Sequence, residues 1–248
     1  MIENARIEHE IDHGKTLAVR DPETTWGWGT PAGQFRARRR SALIGEGAGL
    51  QPGMRVLEIG CGTGLFTEML ARTGCHITAV DVSGELIAKA RARGLPEDRV
   101  RFLDRSFEDC DAEGPFDAVV GSSVLHHLEI RPALARIYSL LKPGGRFSFA
   151  EPNMLNPQIW IERKFSRWRT VFWYISPDET AFTRWDIKRL MEQVGLRDVV
   201  VIPFDWLHPA TPRALIPLVG GMGACMERTP LVREFAGSLA IRGVRPLS

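Results

Sequence analysis

Three alternating glycines and a carboxylate further along the chain have the types and spacing of a nucleoside-binding site. Gly60, Gly62 and Gly64 follow a short apolar run, and without a Cβ they let main-chain N–H groups approach a ligand closely. Asp81 ends a second apolar run about 20 residues later, where a carboxylate can accept hydrogen bonds from ribose hydroxyls. A glycine turn alone also fits an ordinary strand-to-helix connection, so it is the pair that indicates the site.

The glycine spacing differs from that of the dinucleotide fingerprint. The pattern G-x-G-x-x-G requires a third glycine at position 65, where this chain has Leu65. An acidic residue, Glu58, lies inside the apolar run just before the turn. Leu65 therefore counts against an NAD-dependent oxidoreductase, which would share the expected sheet.

Strands that alternate with helices must position these residues. Short apolar runs separated by helical patterns and turns predict βαβ units, right-handed crossovers and a parallel sheet covered on both faces. Ligands of such a sheet bind beyond the carboxyl ends of its strands, and several polar residues lie at or near those ends: Glu58, Asp81, Asp104, Ser122 and Glu151. The expected strands are 56–59, 77–81, 100–104, 116–123, 146–150, 199–204 and 238–241.

With these motifs the chain resembles the class I methyltransferases that use S-adenosylmethionine. The resemblance rests on the stretch from Glu58 to Gly64 followed by Asp81, and it covers residues 50–152 motif by motif and the rest more loosely. It implies an α/β fold with a doubly wound, seven-stranded, mostly parallel sheet whose last strand is antiparallel. It also implies an enzyme that converts S-adenosylmethionine to S-adenosylhomocysteine. To this domain the sequence adds an N-terminal helical cap and a helical insertion after the fifth strand.

The resemblance implies cofactor contacts for residues of the glycine turn and the strand ends. Asp81 would bind the ribose hydroxyls, Val82 would lie against the adenine, and Glu58 would anchor the turn directly or through water. Gly121 or Ser122 would offer a carbonyl oxygen to the methionine ammonium. The other implied contacts are the turn residues Gly60, Cys61, Gly62, Thr63 and Gly64, Asp104 at the adenine amino group, and the backbone of Ser106 and Phe107 at the ring edge.

Two histidines after the fourth strand are candidates for acid–base chemistry. Methyl transfer from a sulfonium is an in-line displacement, which depends on alignment, and an oxygen or activated carbon nucleophile also needs a base, a task that suits histidine near neutral pH. His126 and His127 follow the strand near the expected methyl position, and either could be this base or could brace the loop. Glu151 is a second candidate base, or a carboxylate that hydrogen-bonds nearby backbone.

The N-terminal residues are expected to form a cap segment over 1–50, ahead of a methyltransferase domain over 51–248. Trp26 and Trp28 either pack onto the domain or close over the cofactor. In the expected helix 32–46, Arg36, Arg38, Arg39 and Arg40 are interpreted as a solvated face, and one of them could reach a carboxylate of the cofactor.

Two insertions are expected near the substrate side, at about 153–180 and 207–234. In the first, a helix from 157 to about 174 would carry apolar side chains on one face and arginines on much of the rest, as a packed helix, a lid or a membrane-surface element. The second contains several prolines and is predicted to be irregular.

Composition and charge narrow the classes of partner. A net charge of +2 over 248 residues argues against nucleic acid as a partner, and so against an RNA methyltransferase. Cys61, Cys75, Cys110 and Cys225 form no C-x-x-C pair, which predicts reduced thiols in a cytoplasmic protein and no metal site. The longest apolar stretch, 214–226, is too short and too interrupted to span a membrane.

These patterns and the resemblance together predict methyl transfer to a small organic acceptor. Oxygen or carbon is favoured over nitrogen, because the fourth strand lacks the Asp-Pro-Pro-Tyr type of motif of some nitrogen-methylating enzymes. The aromatic, arginine-rich stretch 160–174 indicates an acceptor with an apolar body and an anionic group or a lipid link. Peripheral membrane contact and a monomeric or homodimeric state are both compatible with the sequence, and a cofactor-binding protein without catalysis is the alternative function.

Overall fold

The computed structural model describes residues 2–164 and 181–247 of the chain. Its strands are β1 Arg55–Ile59, β2 His76–Asp81, β3 Val100–Asp104, β4 Phe116–Ser122, β5 Leu141–Pro152, β6 Arg197–Phe204 and β7 Ser238–Val244. They form one seven-stranded sheet in the order β3-β2-β1-β4-β5-β7-β6. Only β7 is antiparallel to its neighbours in this sheet, β5 and β6. The predicted doubly wound, mostly parallel fold with an antiparallel last strand is therefore confirmed.

Helices cover both faces of the sheet, which is why the central strands are apolar on both sides. On β1, Val56 packs in one buried cluster with Ile44 and Leu70, while Leu57 packs in a second cluster with Leu134. The helices are α1 Ile2–Val19, α2 Pro22–Thr25, α3 Pro31–Ala48, α4 Leu65–Ala71, α5 Gly84–Arg91, α6 Ile130–Leu140, α7 Pro157–Lys164, α8 Arg184–Gln193 and α9 Ile216–Arg228.

Side chains cap the first turn of three of the helices. Ser83 Oγ accepts a hydrogen bond from the N–H of Leu86 at the start of α5, and Thr183 Oγ1 accepts one from Asp186 at the start of α8. Asn156 Oδ1 accepts hydrogen bonds from the first turn of α7. Each of these caps satisfies an N–H that the first turn of a helix leaves without an internal partner.

The starts of two helices differ from what the local sequence pattern indicates. Helix α1 forms in a stretch with weak apolar periodicity, because packing stabilises it: Leu17 is buried, and Gly14 lies so close to Ser83 of the α5 cap that a Cβ would be 2.5 Å from its Oγ. Helix α6 begins at Ile130, two residues before Pro132, although proline is favoured at the first position of a helix. Proline is tolerated there because the N–H groups of the first helical turn have no intrahelical partner.

The two insertions differ from the prediction in different ways. Residues 207–234 are not irregular throughout, since they contain α9, with Pro217 in its first turn, where proline is compatible with a helix. In the first insertion, α7 is described only as far as Lys164, so the predicted apolar-face residues Phe165, Trp168 and Phe172 lie outside the described residues. Within the described ranges, no helix is both long and apolar enough to cross a bilayer.

Candidate active site

A cavity of about 850 Å³ lies across the carboxyl ends of the strands. Its walls are the glycine turn after β1, the ends of β2 and β3, and the turns that follow β4 and β6, while α1 and residues 24–30 close it from the N-terminal side. Ligand pockets in proteins are typically about 300–1,000 Å³. The cavity is therefore large enough for a cofactor together with a small second ligand.

The glycine turn needs glycine because of both backbone conformation and space. Gly60, Gly62 and Gly64 have φ of 67°, 51° and 75°, in the left-handed region that favours glycine. A Cβ on Gly60 would lie 2.4 Å from Cγ2 of Val124, in the turn after β4. The two turns are thus packed against each other, and a side chain at Gly60 would push them apart.

Asp81, at the end of β2, lies beside the glycine turn and is hydrogen-bonded to it. Its Oδ2 accepts a hydrogen bond from the N–H of Gly62 at 2.7 Å, and its Oδ1 accepts one from the N–H of Ser83 at 3.0 Å. Burial raises the pKa of Asp81 above its ordinary value, although these two backbone hydrogen bonds oppose the shift. The carboxylate lines the cavity and is fixed by main-chain groups before any ligand binds.

Glu58 lies beneath the glycine turn and not on the cavity wall. It is buried, and its Oε2 has no hydrogen-bond partner among the described residues. Burial raises its pKa to about 7, and the nearby Asp81 acts in the same direction. The predicted role of Glu58 as an anchor for the turn remains a prediction.

Glu151 is not placed to act as a base on a ligand. It is fully buried and absent from the cavity wall. Its Oε1 accepts hydrogen bonds from the N–H groups of Val124 and Leu125, and its Oε2 lies 2.6 Å from Nδ1 of His126. Burial alone would raise the pKa of Glu151, but the hydrogen bonds outweigh it and hold the pKa below its ordinary value. These contacts are those of the alternative reading, a carboxylate that hydrogen-bonds nearby backbone.

Both histidines of the turn after β4 line the cavity. His126 is buried beside Glu151, whereas Nδ1 of His127 lies 3.0 Å from Oε2 of Glu10 on α1. Arg6 of the same helix donates a hydrogen bond from Nε to the carbonyl oxygen of His127 at 2.6 Å. The N-terminal cap therefore reaches directly to the turn that carries the two histidines.

The cap also closes the cavity through its tryptophans, as one of the two readings anticipated. Trp26 and Trp28 both line the cavity, and the ring of Trp26 lies about 3.5 Å from the position of a Cβ on Gly62. Glu23 of α2 accepts hydrogen bonds from Thr63 and Arg93, which ties the cap to the glycine turn.

The arginines of α3 do not form a solvated face. Arg38 is exposed, but Arg40 is 3% exposed and Arg36 lines the cavity, where its Nε donates to Oδ2 of Asp205 at 2.7 Å. Arg39 forms a bidentate pair with Glu227 of α9. The prediction was wrong for three of the four arginines because α3 packs against β5 and β7. This packing brings Arg36 to Asp205, Arg39 to Glu227, and Arg40 to the carbonyl oxygen of Ala150. Of these four arginines, Arg36 is the one that lines the cavity.

The structure brings most of the candidate residues to one wall and leaves some outside it. Residues that line the cavity are Gly60, Cys61, Gly62, Thr63, Asp81, Val82, Ser106, Phe107, Ser122, His126 and His127. Those that do not are Glu58, Gly64, Asp104, Gly121 and Glu151. Asp104 is exposed and its Oδ2 would lie 2.7 Å from a Cβ on Gly84, so the structure does not bring it to the predicted adenine position.

Sequence reasoning missed Asp205, which lines the cavity directly after β6. It is 8% exposed and has φ of 77°, unusual for a residue other than glycine, as is common at functional sites. The signal that identified Asp81 was also present here, since β6 is parallel to β2 and its carboxyl end lies at the same edge of the sheet.

Comparison with known proteins agrees with this geometry. Residues 56–145 match the family profile described as "Methyltransferase domain". The chain is 37% identical over 151 residues to a ubiquinone biosynthesis O-methyltransferase of Xanthomonas axonopodis pv. citri, which is 59% of this chain and 62% of that protein. Its match to the Xylella fastidiosa protein of the same name is 45% identical over 98 residues, 38% of this chain and 40% of that protein. The chain thus spans about two to three fifths of these relatives.

A solved structure extends the likeness in fold to nearly the whole chain. The N-methyltransferase NodS from Bradyrhizobium japonicum, bound to S-adenosylhomocysteine, superposes with a TM-score of 0.65 at 18% identity. The superposition covers 96% of this chain and 99% of that one. At this identity the likeness concerns the fold.

Proposed function

We propose that this chain transfers a methyl group from S-adenosylmethionine to an oxygen of a small organic acceptor. The proposal starts from its class I methyltransferase fold and from the match of residues 56–145 to a methyltransferase domain. The observation that carries the proposal is the contact between Asp81 and the glycine turn. The 2.7 Å hydrogen bond from the N–H of Gly62 places a fixed carboxylate beside main-chain groups that no Cβ shields.

The residues present fit this cofactor. Asp81 would accept hydrogen bonds from the ribose hydroxyls, and the main chain of the glycine turn would meet the methionine part. Val82 and Phe107 line the cavity as apolar surfaces suited to an adenine ring. Ser122 lines the cavity and its buried Oγ has no partner among the described residues, which leaves it able to bond the methionine ammonium or carboxylate.

The chemistry that the cofactor supplies is an electrophilic methyl group on a positively charged sulfur. The protein must align an acceptor oxygen with that methyl group and take up the hydroxyl proton. His126 and His127 are the titratable side chains of the turn after β4, and both line the cavity. Oxygen is preferred over carbon and nitrogen because the relatives with 37–45% identity carry the name O-methyltransferase.

The acceptor would occupy the part of the cavity towards β6. The proposed cofactor residues lie at the ends of β1, β2, β3 and β4, whereas Asp205 follows β6, which lies four strands beyond β1 in the sheet, about 19 Å at about 4.8 Å per strand. Trp28, Trp206 and Leu207 give this end apolar walls, and Arg36 adds a positive charge. These features favour an acceptor with an apolar body and an anionic group, such as a quinone-like compound.

Calorimetric titration with S-adenosylmethionine and, separately, NADH tests the cofactor assignment. Micromolar binding of S-adenosylmethionine with NADH at least about 100-fold weaker supports the proposal, and tighter binding of NADH contradicts it. Formation of S-adenosylhomocysteine is then measured with catechol and with ortho-phenylenediamine, which places amines where catechol has hydroxyls. Turnover of the diamine alone would contradict oxygen as the accepting atom, and binding without turnover on a broad panel of phenols would favour a non-catalytic protein.

Exposed apolar side chains and free cysteines support two further parts of the proposal, peripheral contact with a membrane and a cytoplasmic location. Trp160 and Ile161 of α7 and Leu218 and Met222 of α9 are exposed apolar side chains, which is compatible with peripheral contact with a membrane that carries the acceptor. The four cysteines are free thiols, as a cytoplasmic protein requires. Co-sedimentation with vesicles of phosphatidylethanolamine and phosphatidylglycerol tests the contact, and a protein that stays in the supernatant at low salt contradicts it.

A further inference from the structure

The turn after β4 is held in an unusual backbone conformation. Ser123 has φ of 55°, which residues other than glycine adopt rarely, and such conformations persist only where the surroundings impose them. Val124 then packs against the glycine turn, where it leaves no space for a Cβ on Gly60 or Gly121. The residues that impose this conformation therefore also set the position of His126 relative to the cofactor turn.

Glu151, at the end of β5, holds the turn after β4 in this backbone conformation. It has no exposed surface, and it uses both oxygens on this turn: Oε1 on the N–H groups of Val124 and Leu125, Oε2 on Nδ1 of His126. A buried carboxylate is unfavourable unless such donors compensate it. Because Nδ1 faces a carboxylate at 2.6 Å, Nδ1 carries a proton and the lone pair of a neutral His126 lies on Nε2.

Arg40 imposes the conformation from α3. Its Nη2 donates to Oγ of Ser123 at 3.1 Å and to the carbonyl oxygen of Ala150 at 2.8 Å, and its Nη1 donates to Oγ of Ser238. The carbonyl of Ala150 also accepts the N–H of Ser123 at 2.7 Å. Burial lowers the pKa of Arg40 only to about 10, so it stays charged at neutral pH. One buried cation thus joins the strained residue to the residue before Glu151.

We infer that Glu151 and Arg40 are positioning residues of the methyl transfer, which act through His126. The inference rests on the proposed function. As the bond from acceptor oxygen to methyl carbon forms and the carbon–sulfur bond breaks, the hydroxyl proton passes to Nε2 of His126 and then to water, and sulfur keeps the bonding electron pair. Glu151 fixes the tautomer and stabilises the resulting imidazolium, and Arg40 keeps the turn in place.

The tautomer of His126 gives a test that does not need an acceptor. In protein labelled with ¹⁵N-histidine and saturated with S-adenosylhomocysteine, the ring nitrogen shifts of neutral His126 should be those of the Nδ1–H form. Assignment uses His126→Gln, which removes the signal. The Nε2–H form in the wild type overturns the inference even if methyl transfer is observed.

Kinetics test the consequence for the reaction. With catechol as probe, Glu151→Gln should lower kcat about 10- to 100-fold, as expected for loss of a charge-assisted hydrogen bond, with KM for S-adenosylmethionine within about twofold. The acid limb of the pH profile of kcat should move to lower pH, because the imidazolium loses its carboxylate. Among the described residues, Arg6 from α1 donates a hydrogen bond to the carbonyl oxygen of His126, Glu10 from α1 lies against the adjacent His127, and Arg40 from α3 interacts with Glu151. The variant Glu151→Gln keeps all of these side chains.

Arg40→Gln should lower kcat in the same way, without moving the acid limb. The matched control is Ser238→Ala, which removes the Nη1 hydrogen bond of Arg40, keeps both Nη2 hydrogen bonds to Ser123 and Ala150, and should leave kcat within about twofold. Unchanged kcat in Glu151→Gln, or losses explained by weaker cofactor binding alone, overturn the inference. If no phenol is methylated by the wild type, the proposed function fails, whereas the tautomer measurement still decides the geometry of the pair.

Discussion

The proposed contact of Asp81 with the cofactor can be tested against a neighbour that has the same side chain. Asp81 and Asp104 are register partners at the ends of β2 and β3. Asp81 lines the cavity and accepts two backbone hydrogen bonds, whereas Asp104 is exposed and lies outside the cavity wall. The variants Asp81→Asn and Asp104→Asn therefore make the same chemical change at two adjacent strand ends, and only one of them touches the proposed ribose site.

The expected loss follows from the charge of the acceptor. Hydrogen bonds to a charged group contribute about 1.5–3 kcal/mol, and about 1.4 kcal/mol corresponds to a tenfold change in affinity. Asp81→Asn should thus weaken binding of S-adenosylmethionine about 10- to 150-fold. Because burial raises the pKa of Asp81, wild-type affinity should fall as the pH is lowered towards that pKa, and the Asn variant should lack this decrease.

Calorimetric titration of both variants with S-adenosylhomocysteine avoids turnover during the measurement. Urea denaturation of each variant is the control for folding, since Asp81 also holds the N–H groups of Gly62 and Ser83. Asp104→Asn should bind within about twofold of the wild type. An equal loss in the two variants would refute the placement of Asp104 outside the site, and no loss in Asp81→Asn would refute the ribose contact.

Gly60→Ala should lower the free energy of unfolding by about 3 kcal/mol in urea, from left-handed strain of about 1–2 kcal/mol and overpacking of about 1–3 kcal/mol. Gly94→Ala, also left-handed but in open space, should show only the strain, and equal losses would contradict the packing argument. Burial raises the pKa of Glu58 to about 7 from 4.5, so folded protein holds a proton that unfolded protein loses. As the pH rises from about 4.5 to 7, the free energy of unfolding of the wild type should therefore fall by about 3 kcal/mol relative to that of Glu58→Gln. The same difference between the two proteins in urea unfolding at pH 5 and at pH 8 would count against this. Deletion of residues 1–30 should preserve cooperative thermal unfolding and deletion of 1–50 should abolish it, which circular dichroism measures; loss in both would refute this division.

The parts of the fold that depend on neighbouring residues were predictable. Each central strand is a short apolar run, and the caps Ser83 and Thr183 act on N–H groups three residues away. The location of the candidate site could also be predicted from the sequence, because parallel strands end at a common edge of the sheet and Asp81 lies at one of those ends. Local chemistry and topology were sufficient for these features.

The directions of the long polar side chains were not predictable, since distant residues decide them. Arg36 binds Asp205, and Arg40 binds Ser238 and Ala150, all more than 100 positions further along the chain. From the sequence, α3 has few apolar positions, so its arginines read as a solvated face. Likewise Glu151 reads as a candidate base because it ends a strand, and only the folded turn after β4 shows that its oxygens are already used, one by backbone N–H groups and the other by His126.

The same contacts bear on where the cap ends and the sheet domain begins, for which residue 50 was the predicted boundary. Ile44 and Ala48 of α3 are buried in one core cluster with Val56 of β1, and Arg40 binds the end of β5. Removing α3 would expose that face of the sheet, at about 25 cal/mol per Å² of apolar surface, and would leave the turn after β4 without its buried cation. Helix α1, in contrast, packs against α5 and forms part of the cavity wall. We therefore expect α3 to belong to the folding unit of the sheet, and only the residues before it to act as a removable cover of the site.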